Sequence, residues 1–128
     1  MLATLNVKNF AIIDNIKIDF NDGLTVLTGE TGAGKSLIID AISLLFGERA
    51  SNDLIRYGED KATIEGLFSN YDSNIKGLLN KYDIDYDESD YLIVKRELYA
   101  SGKNICKINN QNVTLNQLKE ISMYIGDI

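Results

Sequence analysis

The chain has 128 residues, 45% hydrophobic and 25% charged, which bounds it to one globular domain or part of one. Its formal net charge of −6 argues against a free-standing electrostatic DNA binder, because such binding relies on Lys and Arg neutralising phosphates. With no histidine and one cysteine, the composition excludes a disulfide scaffold, a cysteine-rich metal cluster and histidine acid–base chemistry within the chain.

Leu2, Leu5, Val7 and Phe10 run into Ala11-Ile12-Ile13, and Ile16, Ile18 and Phe20 then alternate with Lys17 and Asp19. This predicts two strands over residues 1–20, with Asp14-Asn15 as the turn between them. The opening residues lack the basic region and apolar core of a secretory signal, and no apolar run approaches the roughly 20 residues that span a bilayer. Asn21-Asp22-Gly23 is a second turn. Leu24-Thr25-Val26-Leu27-Thr28 is a short β-branched apolar run, the pattern of a buried strand.

That strand delivers the chain into Gly29-Glu30-Thr31-Gly32-Ala33-Gly34-Lys35-Ser36, which fits G-x-x-x-x-G-K-[ST]. Glycines let the backbone N–H groups close on phosphate oxygens without a side chain in the way. Lys35 reaches the β- and γ-phosphates as a point charge, and Ser36 offers a hydroxyl to a bound Mg²⁺. The following stretch to Phe46 is apolar nearly all round apart from Asp40 and Ser43, which predicts a buried helix stopped by Gly47. Its N-terminus adds partial positive charge to the same site. Strand, loop and helix in this order form the context the motif requires.

Beyond the polar loop Glu48–Asp53, Ser51 or Asn52 caps a short helix through Leu54-Ile55-Arg56. Lys61 to Phe68 alternates as a strand, and Ile75, Leu78, Leu79 and Tyr82 recur at helical spacing. Asp83 to Asp90 reads as an acidic exposed loop. Tyr91–Leu98 and Ile105–Ile108 are strands joined by Ser101-Gly102-Lys103-Asn104, and Asn109-Asn110 turns into Gln111-Asn112-Val113. Thr114 with Gln117 three residues on is a capping-box signature, opening a helix through Leu115, Leu118 and Ile121. Cys106 reads as a small apolar core residue and fits a reducing cytoplasm. Lys95, Arg96, Lys103 and Lys107 gather at one predicted hairpin, either as a solvated strand pair or as a DNA contact.

Asn9-Phe10-Ala11-Ile12-Ile13-Asp14, the run Gly23–Ser36, Ile39-Asp40-Ala41-Ile42, Gly47-Glu48-Arg49-Ala50 and Ile108–Thr114 together resemble the N-terminal part of the RecN family of bacterial DNA repair proteins. The likeness covers essentially the whole chain. It implies an α/β phosphate-loop NTPase fold: residues 1–128 as the N-terminal lobe of an ABC/SMC-type ATPase head, with a mixed β-sheet around the phosphate-loop helix. It implies ATP and Mg²⁺ as cofactors, held by Gly29, Glu30, Thr31, Gly32, Ala33, Gly34, Lys35 and Ser36, with Ser36 on the metal. Arg49 falls where related heads place an arginine near the nucleotide; as a residue alone it reads equally as a solvated loop arginine. The implied partners are a C-terminal lobe and coiled coil, a second head across ATP, and DNA, with no membrane, in a cytoplasmic, nucleoid-associated protein.

The sequence departs from a complete head of that kind. It contains no coiled coil, signature motif or Walker B strand, and Glu88-Ser89-Asp90 precedes its apolar run, the wrong polarity for Walker B. The expectation is half an active site that holds nucleotide without turning it over. Alternatives are another SMC-like head lobe, a small phosphate-loop kinase or GTPase, or a lobe acting only as a dimerisation or docking surface. Asn80-Lys81-Tyr82-Asp83 carries the letters of a guanine-reading motif, but its place inside a predicted amphipathic helix argues for coincidence.

Overall fold

The computed structural model describes residues 1–20, 32–69, 71–86 and 91–125. The expected strand at 24–28 and the loop residues Gly29, Glu30 and Thr31 lie outside the described residues. Within them, six strands form one sheet: β1 (Leu2–Phe10), β2 (Ile13–Asp19), β3 (Lys61–Ser69), β4 (Tyr91–Tyr99), β5 (Asn104–Ile108) and β6 (Gln111–Val113), in the order β2-β1-β3-β4-β5-β6. Every described pairing is antiparallel. Three helices accompany the sheet: α1 (Gly32–Leu45), α2 (Ile75–Lys81) and α3 (Leu115–Ser122).

The period-2 pattern divides the sheet into two faces. In β3, Ala62, Ile64, Gly66 and Phe68 are buried, while Lys61, Thr63, Glu65, Leu67 and Ser69 are only partly so. The register carries this alternation across, pairing Ile64 with Val7 on one side and Arg96 on the other. Leu5, Val7, Leu92, Val94 and Ile108 thereby share the inner face, on which α1 lays Ile38, Ala41, Ile42 and Leu45. Each such fully buried aliphatic contributes about 1.5–3 kcal/mol. Gly66 permits the close approach of helix and sheet: a Cβ there would stand 2.6 Å from Leu45 Cδ1 and 3.1 Å from Leu2 Cδ1.

Two expectations need correction. The first turn is not at Asp14-Asn15 but at Ala11-Ile12, since Phe10 pairs directly with Ile13. Long-range bonds put it there: Ala11 N–H donates to Leu54 O at 2.7 Å, and Arg56 Nη1 donates to Ile12 O at 2.7 Å. Asn9 and Ala11 take positive φ to make the bend. The second concerns α1, which is not buried all round. Ser36, Ile39 and Asp40 are exposed, Ile39 at 59%, so the helix keeps one uncovered stripe.

The remaining elements follow their local chemistry. Asn109 and Asn110 both have positive φ, as a two-residue hairpin between Ile108 and Gln111 requires. Thr114 forms the full capping box of α3: its hydroxyl accepts from Gln117 N–H, and the Gln117 side chain accepts from Thr114 N–H. Ile75 and Leu79 of α2, and Leu118 and Ile121 of α3, complete the core.

Candidate nucleotide-binding site

The site is built on α1. Gly32, Ala33 and Gly34 enter the described structure as its first residues, and Lys35 and Ser36 follow in the first turn. Both of these side chains are exposed. No acidic residue sits in that first turn, so nothing there competes with an incoming anion for the helix's positive end. A cationic point charge and a hydroxyl on the first turn of a helix fit the triphosphate and Mg²⁺ that the motif implies. Among the described residues no cluster of three or more His, Cys, Asp or Glu side chains offers a separate metal site.

The opposite end of α1 is fixed by buried polar contacts. Arg96, on the inner face of β4 and 1% exposed, donates from Nη1 to Leu44 O at 2.7 Å and to Glu48 O at 2.8 Å. Its Nη2 donates to Asn104 Oδ1 at 2.9 Å on β5. Leu44 O is one of the last helix carbonyls, which Gly47 N–H also reaches at 3.2 Å, Glu48 O belongs to the loop beyond, and a guanidinium there also complements the helix's negative end. Burial pushes the Arg96 guanidinium below its ordinary value, and the neighbouring Cys106 opposes the shift. Gly47 ends the helix with φ +95, and Ser122 Oγ donates to Phe46 O at 3.0 Å. Phe46 meets Phe68 edge to face, with ring centroids 5.7 Å apart. The phosphate-loop helix is therefore clamped to β4, β5 and α3 from its far end.

The other candidate residues lie on the loop after α1 and on the β4–β5 hairpin. Arg49 lies beyond Gly47, and about 15 Å of helix axis separates Lys35 from Leu45. Arg49 lines a cleft of about 300 Å³ with Arg96, Asn104, Cys106 and Thr114. Arg96 itself leaves the expected surface quartet, because its parity in β4 turns it into the core. Lys95 and Lys107 are cross-strand neighbours on the outer face, as the hairpin predicts. They surround Glu97, whose carboxylate lies 3.1 Å from Lys61 Nζ, 3.6 Å from Lys95 Nζ and 4.0 Å from Lys107 Nζ. Burial alone would raise the Glu97 carboxyl; the hydrogen bond from Lys61 and the charges of Lys61, Lys107 and Lys95 outweigh it and hold the group below the usual carboxylate range. Lys103, in the β4–β5 turn, lies over the Tyr99 ring at 5.8 Å. Cys106 is buried, as expected for a small core residue.

The letters Asn80-Lys81-Tyr82-Asp83 fall at the C-terminal end of α2, not at a strand end. Tyr82 hydroxyl hydrogen-bonds the Glu120 carboxylate of α3, and Lys81 Nζ lies 5.3 Å from the Tyr82 ring. These residues join two helices. The expected short helix through Leu54-Ile55-Arg56 is only a single turn at Asn52–Leu54, with no side-chain cap from Ser51; Ile55 is extended and bridges Phe10, and Arg56 holds the β1–β2 turn through Ile12 O and, with its own N–H, Asn9 O at 2.8 Å. No local spacing announces a contact across 44 positions.

Comparison with known proteins gives a consistent picture. The family model described as "AAA domain" matches residues 4–126. DNA repair protein RecN of Bacillus subtilis is 48% identical over 129 residues, covering 100% of this chain and 22% of that protein. RecN of Rickettsia typhi is 38% identical over 128 residues, covering 100% of this chain and 23% of its own length. The chain thus spans under a quarter of these relatives. Among solved structures, the SMC head domain from Thermotoga maritima superposes with a TM-score of 0.64 at 26% identity, over 93% of this chain and 41% of that one. An SMC ATPase, solved in work on ATP-driven dimerization and DNA-stimulated activation, gives 0.69 at 25% identity, over 96% and 80%. A RecF structure with a bound ATP analogue shares the fold at 18% identity and TM-score 0.64, over 92% of this chain and 29% of that one.

Proposed function

Because this chain belongs to the AAA domain family, we propose that it is the ATP-binding lobe of a RecN-like ATPase that acts in DNA double-strand-break repair and recombination. The observation that carries this reading is the exposed pair Lys35 and Ser36 on the first turn of a helix clamped at its other end. Gly29 to Ser36 bind the phosphates of ATP, and Ser36 supports Mg²⁺. Catalysis of phosphoryl transfer is mostly positioning and electrostatics, and this chain brings the cationic half of that arrangement. The attacking-water chemistry belongs to a further lobe and to a second head across the nucleotide. The exposed α1 stripe at Ser36, Ile39 and Asp40 is the face offered to that missing part. The whole protein works in the cytoplasm at the nucleoid, without a membrane partner; no described helix is long and apolar enough to cross a membrane.

Calorimetry with Mg-ATP, with phosphate release assayed on the same sample, tests this reading. The expected result is binding without release, lost in Lys35→Ala. Turnover by the chain alone would overturn the half-site reading, and undiminished binding in Lys35→Ala would overturn the site itself. The guanine-reading alternative is disfavoured by the place of Asn80–Asp83, at the C-terminal end of α2 and the turn after it rather than at a strand end.

DNA contact by the whole protein is assigned to the outer sheet face. There Lys61, Lys95 and Lys107 surround Glu97, and Glu65 stands opposite Lys95 on β3, leaving one net positive charge in an otherwise acidic chain. Replacing Lys95 and Lys107 by alanine in the full-length protein should flatten the salt dependence of DNA affinity by about two phosphate contacts. An unchanged slope would discard this face.

A further inference from the structure

Leu67 and Ile93 face each other across β3 and β4 on the outer side of the sheet. The pairs beside them on that side are polar: Glu65 stands opposite Lys95, and Thr63 opposite Glu97. The two apolar side chains are half-buried and floor a cleft of about 520 Å³, near the end of the sheet where Ser69 pairs with Tyr91. Tyr86, Tyr91 and the Asn109–Asn110 turn line it, and Asp85 completes the lining. The Tyr91 ring is 51% exposed.

Two side-chain amides fix the segment that carries Asp85 and Tyr86. Gln111 Nε2 donates to Asp83 O at 2.9 Å, and its Oε1 accepts from Asp85 N–H at 2.6 Å. Asn109 Nδ2 donates to Asp85 O at 2.9 Å, and its Oδ1 accepts from Ile93 N–H at 3.0 Å. Every one of these bonds engages main chain, so the exposed Asp85 carboxylate is spent on none of them. None of the lining residues is Lys or Arg. Lys95, the next residue outward from Ile93 on this face, is answered by Glu65 and Glu97. Tyr86 already meets one cation, Lys76 Nζ, 5.8 Å from its ring centroid.

We infer that this cleft docks a partner protein through an arginine side chain. Such a side chain joins an apolar stem to a planar cationic head, and the cleft matches both parts. Leu67 and Ile93 receive the stem. Tyr86 and Tyr91 offer rings to the guanidinium, and Asp85 offers two acceptor oxygens. Asp83 and Asp85 are both exposed here, so the charge favours a basic segment and repels the phosphates of a nucleic acid. The volume exceeds one arginine side chain and leaves room for flanking residues. The cleft lies on the face of the sheet turned away from α1, so the inference stands independently of what the phosphate loop binds.

The test is a titration of a capped Ala-Arg-Ala peptide into the ¹⁵N-labelled chain, read at the amides of Asp85, Ile93 and Asn110. The expected result is a saturable shift of all three, weakened about fivefold or more in Asp85→Asn and in Tyr91→Ala. Both side chains are exposed, so amides elsewhere should keep their positions in both variants. The same peptide with citrulline for arginine keeps the shape and loses the charge, and it should bind at least fivefold more weakly. Equal binding of the citrulline peptide, or undiminished binding in both variants, would overturn the site. Tighter binding of free arginine than of the capped peptide would overturn the protein partner. Shifts of these amides with chain concentration alone would give the cleft to a second copy and overturn it likewise.

Discussion

Arg96 donates a hydrogen bond of 2.7 Å to the main-chain oxygen of Leu44, across 52 positions of sequence. Through it, a strand residue holds the end of the helix whose beginning carries Lys35. Arg96→Met would take the guanidinium from Leu44 O, which keeps only the longer bond from Gly47 N–H, and from the partly buried Glu48 O, an expected loss of about 1–3 kcal/mol. Arg96→Lys should lose less, since an ammonium still reaches one of the two carbonyls. Urea denaturation midpoints measure both, and a wild-type midpoint for Arg96→Met would remove the clamp from the account.

Gly47 and Gly77 should respond in opposite directions to alanine. At Gly47 the backbone has φ +95, and a Cβ would overlap Cγ of Lys119 and press its main chain. Left-handed backbone alone costs a non-glycine residue about 1–2 kcal/mol. Gly77 lies within α2 with nothing within 4 Å of its Cβ position, so alanine there should add about 0.5–1 kcal/mol. Thermal unfolding of the two variants should move the midpoint down for the first and up for the second.

The Glu97 cluster makes stability depend on pH in a definite sense. Its folded carboxyl is held below the ordinary value near 4.5, so the unfolded chain takes up that proton first as pH drops. Its contribution is complete above the unfolded value and disappears as pH falls through the lowered folded one. The stability gap between wild type and Glu97→Gln, about 1–2 kcal/mol at pH 7, should therefore close between roughly pH 5 and pH 3. A gap that stays constant over that range would show that the lysines do not act through charge.

Thr114→Ala removes one half of the α3 capping box and should cost about 1 kcal/mol. Circular dichroism and the unfolding midpoint would register the loss, and Thr114→Ser should restore most of it.

Most of the strands, all three helices, the glycine stop of α1 and the capping box of α3 were legible in the sequence, because their signals are local. The alternation of β3, the asparagine pair at 109–110 and the Thr114–Gln117 spacing each fix their structure within a few residues. What sequence reading missed was decided by distant contacts. The first turn moved to Ala11-Ile12 because residues 54–56 bind it there. Arg96 was grouped with surface lysines, although strand parity separates it from Lys95 and places it against Leu44. The reading of α1 as buried all round overlooked that a helix on one sheet covers only the face it turns to it, which leaves Ile39 exposed. The candidate loop rests on its motif, part of which lies outside the described residues, while Arg49 and Arg96, which line one cleft, have no linear signature, being 47 positions apart by their numbers.

Strand β1 pairs on one edge with β2, made immediately after it, and on the other with β3, where Lys8 meets Thr63. The loop and helix of the nucleotide site are inserted between those two events. During synthesis at about 5–20 residues per second, β1 thus waits some seconds with one edge open and its apolar residues uncovered. The newborn hairpin is at its most adhesive during that interval, and the translation speed of residues 20–69 sets how long it stays so.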